Sequence, residues 1–164
     1  MVQRSGPPLS PWPATVALAH RYARPMSDMS DFNRGIIDEF RANGGKVGAF
    51  GDAPLVLLTT TGAKSGKSLV TPLVSQPQDD GTLYVFASFA GAPKNPAWYH
   101  NLVAHPEVEV EFGTDRFTAT ATPLTGAERD RVFDRQKEIF PTFAEYEAKT
   151  TRIIPVVALT RTGG

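Results

Sequence analysis

The chain of 164 residues contains no cysteine. This absence excludes disulfide bonds, thiolate nucleophiles and cysteine-based metal sites. The sequence also lacks any apolar run near the roughly 18 residues that a membrane-spanning helix needs. No basic segment followed by a long apolar core, the pattern of a secretion signal, is present either. Together these absences predict a soluble, cytoplasmic protein.

An excess of charge of either sign is absent as well. Lysine plus arginine and aspartate plus glutamate number 17 each, so the composition does not indicate the basic surface that attracts nucleic acid. The histidines, His20, His100 and His105, lie without the spacing of metal ligands. We therefore predict neither a metal site nor a nucleic-acid partner. The length favours one domain with a substantial core.

Residues 1–28 differ in composition from the rest. Proline recurs in SGPPLSPWP, which favours an extended arm, and the ATVALAHRYA that follows could form a short helix. Three interpretations stay open: a flexible tail, an upstream extension of a chain that starts at Met26 or Met29, or an arm that contacts the plasma membrane peripherally. Residues 29–164 are assigned to one folded domain.

Two regions have helical periodicity. Residues 30–45 carry a single apolar stripe and predict a helix. The helix is expected to begin at Ser30 or Asp31, either of which can cap it. Residues 125–140 open with Thr125–Glu128, which has the spacing of a capping box.

Six further segments are short, rich in β-branched residues and bounded by turns, which is typical of strands. They are residues 54–61, 68–75, 82–89, 107–113, 116–124 and 154–161. The order of the elements predicts a mainly β protein of the α+β class, in which helices flank a small antiparallel β-barrel.

The stretch LLTTTGAKSGKS resembles a nucleoside-triphosphate loop. Gly66-Lys67-Ser68 matches the end of that motif, but Thr61 stands where its first glycine belongs. The motif must also open a helix, and Pro72 is poorly tolerated inside one. We therefore predict strand, turn, strand. With Lys64 and Lys67 beside glycines, the turn is either an anion site or a solvent-exposed hairpin.

A second stretch, FASFAGAPKNPAWYHNLVAHPEVEV, leaves a strand and enters a short helix bounded by Pro96 and Pro106. Trp98 and Leu102 share one helix face, with Asn101 beside it. One interpretation is a core aromatic and a satisfied amide. The other is a flat apolar wall for an aromatic ring system, with an amide at its polar edge.

Taken together, these landmarks resemble the deazaflavin-dependent nitroreductase and F420H2-dependent quinone reductase family. The resemblance runs from about residue 30 to residue 160 and follows the family order: DFNRGIIDEFRANGGKVG, LLTTTGAKSGK, TPL, GAPKNPAWYHNL and YEAKTTRIIPVVAL. It implies a split β-barrel similar to FMN-binding proteins. The implied cofactor is coenzyme F420, an 8-hydroxy-5-deazaflavin.

The resemblance also implies the site residues. Those expected to hold the phosphate or polyglutamate tail of the cofactor are Lys64, Ser65, Gly66 and Lys67. Those expected around its ribityl chain and ring are Thr71, Pro72, Ser88, Phe89, Ala90, Gly91, Ala97, Trp98 and Asn101. The catalytic candidates are Tyr146, as a donor to the acceptor's oxygen, and Ser88.

The chain departs from the family pattern at several of these positions. Ala63 and Leu69 stand where many members have arginine, Phe89 replaces a common lysine, and of the tyrosines near FPTFAEYEAKT only Tyr146 is kept. The expected reaction passes hydride from F420H2 to a small electron acceptor, namely a quinone, an enone or a nitroaromatic. The alternatives are an F420 carrier with little turnover and a barrel that binds FMN or haem. The protein is expected to be a monomer or a homodimer.

Overall fold

The structure is a computed structural model that describes residues 26–163. The predicted arm lies outside the described residues except for Met26–Asp28, which belongs to the first helix. Helix α1 therefore begins no later than Met26, and the prediction of a cap at Ser30 or Asp31 is wrong. Helical backbone already extends upstream of Ser30 and Asp31, so both residues lie inside the helix and neither can act as its N-cap.

Four α-helices and six strands make up the described chain, with short 3₁₀ turns at Gly48–Phe50 and Phe89–Gly91. The helices are α1 (Met26–Ala42), α2 (Ala97–Ala104), α3 (Gly126–Ile139) and α4 (Thr142–Ala148). The strands are β1 (Leu55–Thr61), β2 (Ser68–Pro77), β3 (Leu83–Phe86), β4 (Glu107–Phe112), β5 (Asp115–Pro123) and β6 (Val156–Gly163). None of these helices, between residues 26 and 163, is long and apolar enough to cross a membrane.

The strands form a closed, entirely antiparallel barrel in the order β1-β2-β3-β6-β5-β4, with β4 pairing back to β1. Along β1 the side chains alternate: Val56 and Leu58 fill the barrel interior, whereas Leu55 and Leu57 face the helices outside. Two apolar cores result, one inside the barrel and one between the barrel and its helices. This arrangement confirms the predicted split β-barrel with flanking helices.

Two local predictions are wrong for backbone reasons. Strand β3 was expected to reach residue 89 but ends at Phe86, because Phe89 and Ala90 adopt left-handed φ angles of 46° and 54°. The capping box of α3 does not form, since the side chain of Thr125 makes no capping hydrogen bond. Gly126 follows with a φ of 60°, so the chain turns sharply just where the cap would act.

Helix α1 packs across the outside of the barrel. Ile36 and Phe40 are buried in the outer core, and Arg41 donates two hydrogen bonds to the Glu111 carboxylate of β4, at 3.0 and 2.7 Å. The hydrogen bond from Arg41 lowers the pKa of Glu111 below its ordinary value. The helix is thus fixed at its C-terminal end, while its N-terminal half extends over the cleft described next.

Candidate functional site

An open cleft lies between the outer face of the barrel and the helices. Its volume is about 130 Å³, so it can enclose part of a ring system while the rest extends along the surface. Its lining is mostly apolar, with a few hydroxyl and amide groups. The lining residues are Phe32, Asn33, Ile36, Phe50, Thr71, Pro72, Leu73, Val74, Phe86, Ser88, Phe89, Ala90, Pro96, Trp98, Phe143 and Tyr146.

Helix α2 supplies one wall. Pro96 occupies its N-cap position, where a missing N–H costs no helical hydrogen bond, and Trp98 follows two residues later. The indole is only 4% exposed and packs against the barrel core. Trp98 is therefore both a core aromatic and a rigid flat surface at the cleft, so the two sequence interpretations are compatible.

The Ser88–Ala92 loop supplies further lining residues. Ser88 is 8% exposed and Phe89 44% exposed, so the loop contributes a buried residue with a hydroxyl and a partly exposed aromatic ring. Gly91 lies behind the loop with a φ of 81°; a Cβ there would meet the Tyr146 carbonyl oxygen at 2.8 Å. Only glycine lets this loop approach α4 so closely.

Arg152 fixes the loop from behind. Its guanidinium donates to the carbonyl oxygens of Ala87 (3.2 Å), Ser88 (2.9 Å) and Ala92 (2.9 Å) and to the side-chain oxygen of Asn95 (2.7 Å). All four acceptors are neutral. Burial lowers the pKa of Arg152 below its ordinary value, and no anion acts in the other direction.

The glycine turn joins β1 to β2 as a hairpin, which confirms the predicted strand, turn, strand. The N–H of Gly62 donates to the Lys67 carbonyl at 2.8 Å, and that of Gly66 to the Gly62 carbonyl at 3.0 Å. Lys64 and Lys67 are exposed. The turn therefore presents two lysines at the surface and leaves them accessible to an anion.

Asn101 connects this turn to α2. Its side-chain oxygen accepts a hydrogen bond from the Ala63 N–H at 3.0 Å, and its side-chain nitrogen donates to the Thr60 hydroxyl at 3.1 Å. The amide is buried, with 8% of the residue exposed. Its two ends are thus engaged within the protein, and its evident role is to place the basic turn beside the helix that carries Trp98.

Tyr146 projects into the cleft from α4. It is buried and contacts Phe143 edge to face, with ring centroids 5.5 Å apart, and Phe143 in turn contacts Phe86 at 5.6 Å. This aromatic row restricts the orientation of the Tyr146 ring. Its hydroxyl is carried on a rigid support rather than on a mobile surface side chain.

The predicted site residues therefore separate into three groups, with Ala97 outside all of them. Seven line the cleft: Thr71, Pro72, Ser88, Phe89, Ala90, Trp98 and Tyr146. Lys64, Ser65, Gly66 and Lys67 form the hairpin turn instead, and Gly91 and Asn101 hold the surrounding backbone. Ala97 is exposed on α2 and is not among the residues that line the cleft.

Sequence reasoning missed Arg152 and the contribution of α1. Phe32 and Ile36 were recognised as an apolar stripe, but periodicity cannot distinguish a residue of the core from one that lines a cleft. Arg152 carries no local signal, because its partners lie about 60 residues away along the chain. Within the described part of the chain, no group of three or more histidine, aspartate or glutamate residues could hold a metal ion.

Comparisons with known proteins identify the family of the chain. Residues 32–161 match the sequence model of the family described as F420H(2)-dependent quinone reductase. An F420H(2)-dependent quinone reductase of Mycobacterium tuberculosis strain H37Rv is 39% identical over 127 residues, which cover 74% of this chain and 85% of that protein.

Two solved structures are similar. One is titled an F420-H2 dependent reductase (FDR-A); it is 43% identical, with a TM-score of 0.59, over 65% of this chain and 93% of that chain. The other, titled a domain-swapped dimer, is 38% identical with a TM-score of 0.61, over 79% of this chain and 98% of that chain.

Proposed function

Because the chain belongs to the F420H(2)-dependent quinone reductase family, we propose that it is an oxidoreductase that binds coenzyme F420 and passes hydride from F420H2 to a quinone, an enone or a nitroaromatic compound. The proposal depends mainly on one observation, the connection between the cleft and the basic turn. The Trp98 wall of the cleft and the basic turn with Lys64 and Lys67 are held together by Asn101.

The residues present fit such a cofactor. F420 combines a planar head with a long anionic tail, and it needs an apolar ledge at one end and cations at the other. Trp98 and Pro72 provide the ledge, and the two exposed lysines of the turn provide the cations. FMN carries a single phosphate on a short chain and makes less use of this extended arrangement.

When bound, reduced F420 supplies the hydride, and the acceptor takes up that hydride and a proton. The chain's own residues orient the cofactor and the acceptor and exclude water from them. Trp98 and Phe143 both line the cleft, and such apolar rings lower the local dielectric and strengthen polar contacts to the reacting groups.

Tyr146 is the proposed donor to the acceptor. Negative charge develops on the oxygen of a quinone, enone or nitro group as hydride arrives, and a phenol hydroxyl can donate a hydrogen bond to it. Ser88 also lines the cleft and offers a second hydroxyl. We propose that these two groups orient the acceptor and stabilise its developing charge.

The proposal is tested by titrating the purified protein with oxidised F420, F420H2 and FMN while tryptophan fluorescence is recorded. The chain has two tryptophans, so a Trp12→Phe background leaves Trp98, which lines the cleft, as the only reporter. Menadione is then added and F420H2 oxidation is followed by absorbance. We expect micromolar binding of F420, weaker binding of FMN, and turnover.

The other outcomes are distinct. Binding of F420 without turnover on quinone, enone and nitro acceptors would identify a carrier rather than a reductase. Preference for FMN would identify an FMN-binding barrel. Failure of the folded protein to bind F420 would mean that Ala63 and Leu69, which replace arginines common in the family, mark a lost site.

A further inference from the structure

Arg152 has no counter-ion among residues 26–163. Its four hydrogen-bond acceptors are three carbonyl oxygens and an asparagine side chain. Arg41, Arg116, Arg129 and Arg135, by contrast, each form an ion pair with an aspartate or a glutamate. A partly buried guanidinium without an anion is costly unless something else uses its charge.

The other charged groups around the loop do not neutralise Arg152. Lys94 lies two residues beyond the loop, and the stem of Lys149 packs where a Cβ on Gly91 would be, 2.8 Å from it. Both are cations. On α4, Glu147 is paired with Lys137 at 2.9 Å, and Glu145 is not a hydrogen-bond partner of Arg152. Neither carboxylate of α4 therefore neutralises Arg152.

The guanidinium contacts the backbone of a residue that lines the cleft. Two of its donors bond the carbonyl oxygens of Ala87 and Ser88, and Ser88 itself lines the cleft. A planar fork that bonds several carbonyls at once fixes the path of the backbone more firmly than a single ammonium could. Because Arg152 is partly buried, salt screens its charge less than at an exposed site, and the charge can act on a group bound in the cleft.

We propose that Arg152 is a positioning residue of the cleft. It holds the Ser88–Ala92 loop in place, and its positive charge interacts with an anionic ring bound in the cleft. This inference rests on the proposed function. The chemistry that it selects is a planar ring that carries a delocalised negative charge, either on the cofactor or on an acidic quinone.

The charge is tested on the ring hydroxyl of F420, an acidic group whose ionisation changes the absorption spectrum. Bound F420 is titrated with acid in the wild type and in three variants. Arg152→Gln removes the charge but keeps amide donors, Arg152→Lys keeps the charge but loses the fork, and Arg116→Gln removes an exposed arginine that does not line the cleft. We expect the pKa of bound F420 to be about one unit higher in R152Q than in the wild type.

Arg152→Lys and Arg116→Gln should keep the wild-type value. An equal pKa of bound F420 in the wild type and in R152Q would overturn the inference. If R152Q does not fold, R152K carries the test: its bound F420 must keep a pKa below that of free F420, with weaker binding, and a return to the free value would contradict the role of the charge.

The positioning role is tested without any cofactor. Trypsin can cut after Lys94, within the segment that Arg152 holds, and the product is identified by mass. We expect cleavage there to be several-fold faster in both R152K and R152Q than in the wild type, and unchanged in R116Q. Equal cleavage rates in all four proteins would overturn the positioning role.

These outcomes separate this inference from the proposed function. Should the wild type bind no F420, the proposed function fails, and the titration is repeated with 2-hydroxy-1,4-naphthoquinone, an acidic ring that does not depend on F420. A lowered pKa of that ring in the wild type but not in R152Q would still support Arg152. Absence of both effects would overturn the inference as well.

Discussion

The side-chain oxygen of Asn101 accepts a hydrogen bond from the backbone N–H of Ala63 at 3.0 Å, across a sequence separation of 38 residues. The same side chain donates to the Thr60 hydroxyl. A single amide therefore joins the hairpin turn to α2, the helix that carries Trp98. The affinity of the site for an elongated anion should depend on this one contact.

Asn101→Ala should lower the free energy of unfolding by about 1–3 kcal/mol, because the N–H of Ala63 and the buried hydroxyl of Thr60 lose their partner. F420 affinity should fall with it. Asn101→Asp keeps the acceptor for the Ala63 N–H, and the Thr60 hydroxyl can turn to donate to the carboxylate, so this change should cost less stability, although its charge repels an anion. Urea unfolding and fluorescence titration measure the two effects. Unchanged stability in N101A would contradict the structural role of this amide.

Replacement of Lys64 and Lys67 by alanine should weaken F420 binding by about tenfold or more and reduce its dependence on salt, since two exposed cations are lost. The thermal midpoint should hardly change. Lys46→Ala, another exposed lysine but outside the turn, serves as the control. If the double variant binds F420 as tightly as K46A at low salt, the turn does not hold the anionic tail.

Gly91→Ala should be strongly destabilising. Its φ of 81° is unfavourable for alanine, and the added Cβ would lie 2.8 Å from the Tyr146 carbonyl oxygen. Gly81→Ala is a matched control, because Gly81 has a φ of 93° and open space around it. Gly81→Ala should lower the free energy of unfolding only by the conformational cost, about 1–2 kcal/mol. Equal losses in urea unfolding would show that the close approach at Gly91 is unimportant.

Tyr146→Phe should reduce turnover with F420H2 and menadione by about 10²-fold, the lower end of the effect of a positioned proton donor. F420 affinity should remain, because the ring and its packing on Phe143 are kept. Tyr99→Phe, on α2 and not among the residues lining the cleft, controls for loss of a tyrosine hydroxyl. Wild-type turnover in Y146F would exclude Tyr146 as the donor.

Acid should weaken the attachment of α1 to the barrel. The hydrogen bond from Arg41 lowers the pKa of Glu111, so the stability from this pair is fully present above the ordinary value of 4.5 and is lost as the pH falls through the lowered, folded-state value. Glu111→Gln should lower the unfolding free energy at pH 7 by about 1–3 kcal/mol and flatten its decline below pH 4.5.

The neighbouring pair provides the control for this prediction. Glu109 lies on β4 with Glu111, and its partner Arg116 lies on β5. Both are exposed, with 37% and 61% of their side chains accessible. Glu109→Gln should therefore change stability little at either pH. The measurement is urea unfolding of the three proteins at several pH values. If the unfolding free energy of E111Q declined with acid as steeply as that of the wild type, Glu111 would not be the group responsible for the decline.

Local chemistry made much of the fold predictable. Strands β1 and β2 follow from β-branched runs, and the turn between them from Gly62, Gly66 and the position of Pro72, all of which act within a few residues. The end of β3 was not predictable in this way. Phe89 and Ala90 are held in left-handed conformations that their own sequence disfavours, within a loop that Arg152 fixes from a distant segment.

The site was predictable in its residue types but not in its connections. Trp98 could be recognised as an apolar wall and Lys64 and Lys67 as an anion turn. The hydrogen bonds of Asn101 and of Arg152 span 38 and up to 65 residues, and a periodic pattern contains no information about such pairs. The family resemblance named Asn101 but could not show that its amide would be used by the protein itself.

The position of β6 in the barrel also bears on how the protein is made. This last described strand pairs with both β3 and β5, so a nascent chain cannot close the barrel until Val156–Gly163 has left the ribosome. Until then β3 and β5 present open edges, and the same segment of a second nascent chain fits them equally well. Strand exchange between chains therefore competes with correct folding until this segment has paired within its own chain.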